Sequence, residues 1–443
     1  MSAFHWRILT LVGAGMFFDG FDNQMASSVL GKLVQEGWSD MQTNAHFISV
    51  TFAGLAVGAL STGIIGDKYG RRFAYQFNLA IFGTMCLASM LAPSMTVLTI
   101  LRFFMGIGIG AEYVVGYGMV CEFVPPQKRG WALGLISVVS MSSTFGVNLV
   151  ALLVIPAFGW RPMYLVGGIG ALWVWFLRRK MPESPRWLES RGRYEEAEAI
   201  MTEIEAEVAS VQPLPPVPPG AGTGVTQTVP ISVLFTRPVI GRTLLAMAVC
   251  ITCLMGSYSF SYWVPTFFIK SGMSVTKSLS YATFQAFGSS LGPVVGMLLS
   301  DRIGRRRGIL WTTLACGVFG LLYSQFPTAN GALVFGFLLQ GGMSLMIGFG
   351  LAAYTPELFP TEYRFRGAGV AQMVGRLSVI VSPYIVVSLF DNYGLPAVLY
   401  AISGLYLAMA VGIMVFGIET NQRSLEALAP DGETTATPET LPA

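Results

Sequence analysis

A chain of 443 residues that is 53% hydrophobic and only 12% charged, with a mean hydropathy of +0.60, is too apolar for a soluble protein of its size and reads as a polytopic membrane protein. Its net charge of +3 is too small to suggest nucleic-acid binding, and its basic residues are spread among loops rather than gathered on one face. The cysteines (Cys86, Cys121, Cys250, Cys253, Cys316) lie in or at the ends of apolar runs, and His5 and His46 are far apart, so neither a metal site nor a cofactor is expected.

In chain order, the first apolar run, 8–30, follows one basic residue, Arg7, and contains Asp19 and Asp22. Its length, its aspartates and its lack of a small-residue cleavage site make it a first span, not a signal peptide. Runs at 44–65, 73–92, 96–118, 131–155 and 161–177 complete one set of six. Runs at 239–264, 280–299, 308–325, 330–352, 368–390 and 395–416 form a second set, each near the ~20 residues that cross a bilayer as a helix.

Between the second and third runs stands Gly66-Asp67-Lys68-Tyr69-Gly70-Arg71-Arg72. Between the eighth and ninth stands Ser300-Asp301-Arg302-Ile303-Gly304-Arg305-Arg306, with Asp, Gly, Arg and Arg each displaced by 234 residues. A charged turn repeated at that period predicts two homologous halves in a membrane. Glycine permits the short reversal, and Asp67 and Asp301 are placed to meet the positive N-terminus of a nearby helix.

With both termini in the cytosol, 21 Lys and Arg fall inside, Arg178 among them, against four outside: Lys32, Arg161, Lys270 and Lys277. That asymmetry sets the expected topology. The hydrophilic middle begins with an acidic stretch, 194–208, carrying Ile200, Met201, Ile204 and Val208 at the spacing of a short amphipathic helix. A Pro-rich linker from Pro213 follows. The expected organisation is a six-helix bundle at 1–178, a cytosolic central loop at 179–238, a second six-helix bundle at 239–418 and a disordered cytosolic tail at 419–443.

Five ionisable residues lie inside predicted spans: Asp19, Asp22, Arg102, Glu112 and Arg376. A charge at the bilayer centre costs several kcal/mol, so each needs a partner or a water-filled cavity. Asp19 and Asp22, three apart, share a helix face. Counting helical rise puts Asp22 and Arg102 at one depth, which predicts that they pair and leave Asp19 freer to carry a proton, with Glu112 as the alternative proton site. Arg376 is the preferred anchor for an anionic substrate, because guanidinium grips a carboxylate at two points. The bland alternative is a permanent pair with Glu112 or Asp19. The Gly106-x-Gly108-x-Gly110 series reads as close helix packing, not as a nucleotide fingerprint, since no strand precedes it.

The repeated Asp-x-x-Gly-Arg-Arg turn, the two sets of six spans and the long central loop resemble the major facilitator superfamily. Pro182-Glu183-Ser184-Pro185-Arg186-Trp187-Leu188 is similar to a signature of sugar porters and proton-coupled metabolite symporters. Glu122-x-x-x-Pro126-x-x-Arg129-Gly130 is echoed by Pro356-Glu357 through Arg366-Gly367, and Glu419-Thr420 resembles the motif after span 12. Asp19-Gly20-Phe21-Asp22, Gly375-Arg376-Leu377 and the span-4 stretch from Arg102 to Glu112 look like the aromatic-acid:proton symporter group. A Gln-rich span-7 motif of sugar porters is missing between Leu244 and Pro265.

The resemblance implies an all-α fold of twelve transmembrane helices in two pseudo-symmetric bundles, working by alternating access in the plasma membrane, a bacterial inner membrane by this reading. It implies cavity-lining roles for Tyr113, Tyr117, Tyr258, Tyr262, Trp263 and Tyr384, with Arg102 beside Arg376 among the substrate contacts. It implies gating roles for Asp67, Arg71, Arg72, Asp301, Arg305, Arg306, Glu122, Arg129, Glu357 and Arg366, the turns making cytosolic charge contacts with the neighbouring half. The expected activity is symport of a small organic anion, an aromatic carboxylate by preference, with protons, by a monomer and without enzymatic chemistry. The alternatives are a sugar or other metabolite symporter, a drug or cation antiporter, and a non-transporting membrane sensor.

Overall fold

The structure, a computed structural model, describes residues 2–124, 126–210, 230–326, 328–359 and 364–420. Among these residues it is all-helical, as an apolar solvent demands, since a helix satisfies its backbone hydrogen bonds internally. The first half holds α1 (Ala3–Gln35), α2 (Met41–Tyr69), α3 (Arg71–Met90), α4 (Met95–Phe123), α5 (Pro126–Phe158) and α6 (Arg161–Leu177). A 3-10 turn, Arg178–Lys180, leads to the short α7 (Pro185–Ser190) and to α8 (Tyr194–Ala209). Glu207 of α8 accepts the Phe4 backbone N–H at 2.5 Å and so ties this helix to the start of α1.

The second half holds α9 (Arg237–Ser261) continued by α10 (Val264–Lys270), α11 (Val275–Ile303), α12 (Arg305–Gln325) and α13 (Ala329–Met346). After α13 come a π-helical segment (Ile347–Tyr354), α14 (Thr355–Glu357) and α15 (Arg364–Phe416). The last is two helices joined at Gly394, whose φ of 75° breaks the run. Eight helical stretches among the described residues are individually long and apolar enough to cross a membrane.

The 234-residue period governs where helices begin. Ala3 and Arg237, Met41 and Val275, Arg71 and Arg305, and Met95 and Ala329 each start a helix at that separation. The caps repeat too. Asp40 and Ser274 accept the N–H groups of Thr43 and Lys277, and Ser94 and Thr328 those of Val97 and Gly331. Gly70 and Gly304 occupy φ of 103° and 87°, which only glycine adopts without strain.

Glycine also sets the helix spacing. A Cβ at Gly106 or Gly110 would collide with the Thr51 and Leu55 carbonyls of α2, and one at Gly288 or Gly292 with the Phe337 and Gly341 carbonyls of α13. The halves meet towards the outer ends of their helices. There the Ser27 hydroxyl donates to Ser261 O at 3.0 Å, Ser49 to Ile380 O at 2.7 Å, and Tyr258 packs edge-on against Phe52 at 4.7 Å.

Candidate functional site

Two buried ion pairs occupy the first half. Arg102 Nη1 lies 2.5 Å from Asp22 Oδ2, and its Nη2 donates to the Asp22 carbonyl at 2.8 Å. The Cys86 thiol also faces Asp22, at 3.8 Å. The two residues placed at one depth by helical rise are thus in contact. Arg102 is only 1% exposed, so its expected place among the substrate contacts needs correcting: in this conformation its charge is spent on Asp22.

The second pair was not legible. Arg178, counted at the end of the sixth run among the cytosolic charges, folds back into the bundle and lies 2.6 Å from Glu112 Oε1, both side chains 1% exposed. Its Nε and Nη2 donate to Leu11 O at 3.0 and 2.8 Å, and its guanidinium sits 3.9 Å over the Tyr75 ring. Gly15 makes the room, since a Cβ there would overlap Arg178 Nη2 and Glu112 Oε1. The cation for Glu112 is therefore neither Arg376 nor Arg102. The available signal was Glu112 itself, a buried carboxylate that required a cation from some element.

Asp19 lies between the pairs, fully buried, and neither of its carboxylate oxygens has a hydrogen-bond partner. Immediately beside it, Gly20 opens onto a cavity at the seam of the two halves. Asn23 and Gln24 of α1, Ser140, Ser143 and Thr144 of α5, Ser257, Tyr258 and Ser261 of α9, Ser289 of α11, and Gln340 and Ser344 of α13 line it. It encloses about 60 Å³. A site that accepts a benzene ring needs roughly 150 Å³, so the halves must part further for a ring to enter.

Among the tyrosines, Tyr258 reaches the cavity wall and accepts from Asn23 Nδ2 at 3.3 Å. Tyr262 and Trp263 are buried behind it: the Tyr262 hydroxyl donates to Asn23 at 2.5 Å, and Trp263 stacks on Phe267. Tyr117 pairs with the Ser137 hydroxyl within the first half at 3.3 Å. Tyr384 is 43% exposed and meets His46 of the other half at 3.2 Å. Tyr262, Trp263, Tyr117 and Tyr384 thus stand outside the cavity lining in this conformation, and the side chain of Tyr113 lies outside the described residues. Arg376 is half-buried, near enough for its charge to reach the Tyr258 phenol, and its Nη1 is buried without a hydrogen-bond partner. Gly375 puts it there by letting α15 close on the Cys250 backbone of α9.

Among the described residues, the repeated turns are held by carboxylates that follow the sixth and twelfth spans. Glu183 accepts the backbone N–H of Arg71 at 2.9 Å and of Arg72 at 3.1 Å, and the Arg72 guanidinium reaches Arg179 O at 2.5 Å. In the second half Glu419 accepts the Arg305 N–H at 3.0 Å, Arg305 Nε lies 3.4 Å from Glu357, and Arg306 donates to Met414 O at 2.9 Å. The Thr420 hydroxyl donates to Glu357 at 2.6 Å, so Glu419 and Thr420 belong to the bundle rather than to a free tail. Glu183 and Glu419 thereby place a carboxylate at the positive N-termini of α3 and α12. Arg366 is half-buried. The side chains of Asp67, Asp301, Glu122 and Arg129 lie outside the described residues, as do 211–229 of the Pro-rich linker and 421–443 of the tail.

A family model described as "Sugar (and other) transporter" matches residues 9–431. The chain is 34% identical over 434 residues to the inner membrane metabolite transport protein YdjE of Escherichia coli (strain K12), covering 97% of this chain and 96% of that protein. It is 29% identical over 431 residues to the niacin transporter NiaP of Acinetobacter baylyi (strain ATCC 33305 / BD413 / ADP1), covering 97% of each. Its fold is similar to the crystal structure of a D-xylose-proton symporter, with a TM-score of 0.76 at 17% identity, over 95% of this chain and 100% of that one.

Proposed function

Since the chain belongs to the sugar (and other) transporter family of the major facilitator superfamily and is a multi-pass membrane transporter of small metabolites, we propose that it imports a small organic anion, an aromatic or heteroaromatic carboxylate, together with protons. One observation carries this reading. Of the three arginines set among the spans, Arg102 and Arg178 are already matched to Asp22 and Glu112, whereas Arg376 has no ion-pair partner among the described residues and is near enough to the cavity tyrosine Tyr258 for its charge to reach that phenol. A guanidinium set among the spans without an ion-pair partner wants a carboxylate. The cavity hydroxyls and amides are suited to ring substituents or a ring nitrogen, and the niacin carrier among its relatives supports a ring-borne carboxylate. Asp19, with Glu112 and Asp22, is the proton-coupling group of this reading, and alternating access about the seam moves both species.

A second reading has its own observation: a cavity lined by serine, threonine, asparagine and glutamine also suits a neutral polyol or sugar. Proteoliposomes separate the two. Uptake of nicotinate and 4-hydroxybenzoate, but not of xylose or xylitol, accompanied by proton influx and weakened in Arg376→Gln, is the expected result. Uptake of the polyol alone, indifferent to Arg376→Gln, would replace the anion with the neutral cargo.

A further inference from the structure

The inner cluster of the first half holds two carboxylates, Asp19 and Glu112, and one cation, Arg178, all fully buried. With both carboxylates ionised the cluster carries a net negative charge in the membrane interior, which costs several kcal/mol. One proton makes it neutral. Geometry decides which group holds that proton. Glu112 is ion-paired with Arg178 at 2.6 Å, whereas Asp19 has no ion pair among the described residues; the oxygens of both carboxylates are buried without a hydrogen-bond partner. Arg178 is kept from leaving by the Leu11 and Val12 carbonyls and by the Tyr75 ring beneath it. Its Nη2 lies over Gly15, one helical turn from Asp19 on the same face of α1, so a short shift of the guanidinium reaches the Asp19 carboxylate.

We propose that Arg178 is the positioning residue of the proton site: it holds Glu112 as a carboxylate, so that Asp19 takes up and releases the cluster's one exchangeable proton, and it turns towards Asp19 when that proton leaves. The only bond made or broken is the Asp19 O–H, and the proton comes from and returns to water in the adjoining cavity. The groups facing Asp19 are Glu112 of α4, Tyr75 of α3, Arg178 after α6, and Asp22 of its own helix, itself matched to Arg102 and Cys86. The nearby α5 presents the hydroxyls of Ser140 and Ser143 beside Gly20. This inference rests on the proton-coupled reading above and adds the residue that fixes where the proton sits.

The test needs no cargo. Purified full-length protein in lipid is titrated with pH while infrared difference spectra record the C=O stretch of protonated carboxylic acids. The wild type is expected to lose one such band as pH rises, and Asp19→Asn to lack it. In Arg178→Gln no cation favours ionisation of either carboxylate, so the band should grow and its midpoint move about 1 pH unit or more to the alkaline side. Arg178→Lys should stay near the wild-type midpoint. The Glu112→Gln/Arg178→Gln variant, which leaves no orphaned charge if the single variant fails to fold, should show one band that is still removed by Asp19→Asn. A band removed by Glu112→Gln and not by Asp19→Asn, or a midpoint unmoved in Arg178→Gln, would overturn the assignment. Acid-driven proton influx persisting beside either of those results would remove the role of Arg178 alone, whereas influx lost for every acid in the wild type would remove the function proposed above.

Discussion

The two halves share one backbone period and divide the charge unequally. Shifting the first-half positions by 234 residues sets Asp19 against Cys253, Glu112 against Met346, Arg178 against Gly412 and Gly15 against Val249. The second half fills that space without charges: the Cys253 thiol donates to Met346 O at 3.5 Å, and Val249 is fully buried against Gly350. Conversely, Arg376 stands against Ser142. The backbone differs in the opposite sense, because the second half turns π-helical at Ile347–Tyr354 where α4 continues as a regular helix. One scaffold thus holds a core of buried charges in one half and, among the described residues, an apolar core with one arginine lacking an ion-pair partner in the other. Charge pairs and well-packed apolar side chains are alternative solutions to the same cavity.

The strongest way to break this comparison is to move one solution piecemeal. In Gly15→Val, the second-half residue forces Arg178 and Glu112 apart while both remain buried, and the cost should be about 3–5 kcal/mol. Loss of folded protein in a detergent thermal-stability assay is the expected outcome. The fourfold change Gly15→Val, Asp19→Cys, Glu112→Met and Arg178→Gly imports the whole apolar solution and should recover most of that stability while showing no proton coupling. If the single and fourfold variants are equally unstable, the halves are not interchangeable at this level.

Next in size is the spare cation. Arg376→Gln should raise the KM for nicotinate by about 10- to 100-fold, the loss of a charge-assisted contact worth roughly 1.5–3 kcal/mol, with kcat less affected. Adding Ser142→Arg in the first half should not restore it, because that position sits on α5 with its hydroxyl turned back to Val139 O. Rescue by the relocated arginine would mean that only net cavity charge matters.

At the cytosolic turns the halves are alike, so the comparison predicts equality. Glu183→Gln and Glu419→Gln each weaken a carboxylate that accepts from the first N–H groups of α3 or α12. Each should lower stability by about 1 kcal/mol, visible as similar drops in thermal midpoint. A much larger effect on one side would show that its turn carries a further task.

Much of this was legible because membrane helices announce themselves twice, by apolar length and by charged turns. The twelve runs, the period and the Asp22–Arg102 contact follow from counting residues and rise. Arg178 escaped because the end of an apolar run looks identical whether the next arginine points to water or folds back. Only the neighbouring Gly15 and the unmet charge of Glu112 distinguish the cases, and both belong to other helices. The cavity lining escaped for a related reason: serines and threonines occur throughout these spans, and which of them meet at the seam is set by helix rotation. The π segment left no mark beyond an apolar, glycine-containing run. Glu183 and Glu419 were visible as motif residues, yet their capping contacts arise from chain segments more than 100 residues away from the turns they hold.

The smallest expected effect lies at the outer surface, where equivalent caps differ in chemistry. Asp40 accepts from the Thr43 N–H and hydroxyl, both at 2.7 Å, and Ser274 accepts from the Lys277 N–H at 3.4 Å. Those two hydrogen bonds hold the Asp40 carboxyl below its ordinary range. A carboxyl so lowered contributes stability that is present above its unfolded value of about 3.9 and is lost as pH falls through the folded value. Asp40→Ala and Ser274→Ala should each cost about 1 kcal/mol at neutral pH. On acidification below about pH 4 the deficit of Asp40→Ala relative to wild type should shrink while that of Ser274→Ala stays constant, because a hydroxyl cap has no proton to gain. Thermal midpoints of the two variants across that pH range decide it: parallel curves would show that the Asp40 cap acts through its hydrogen-bond geometry alone.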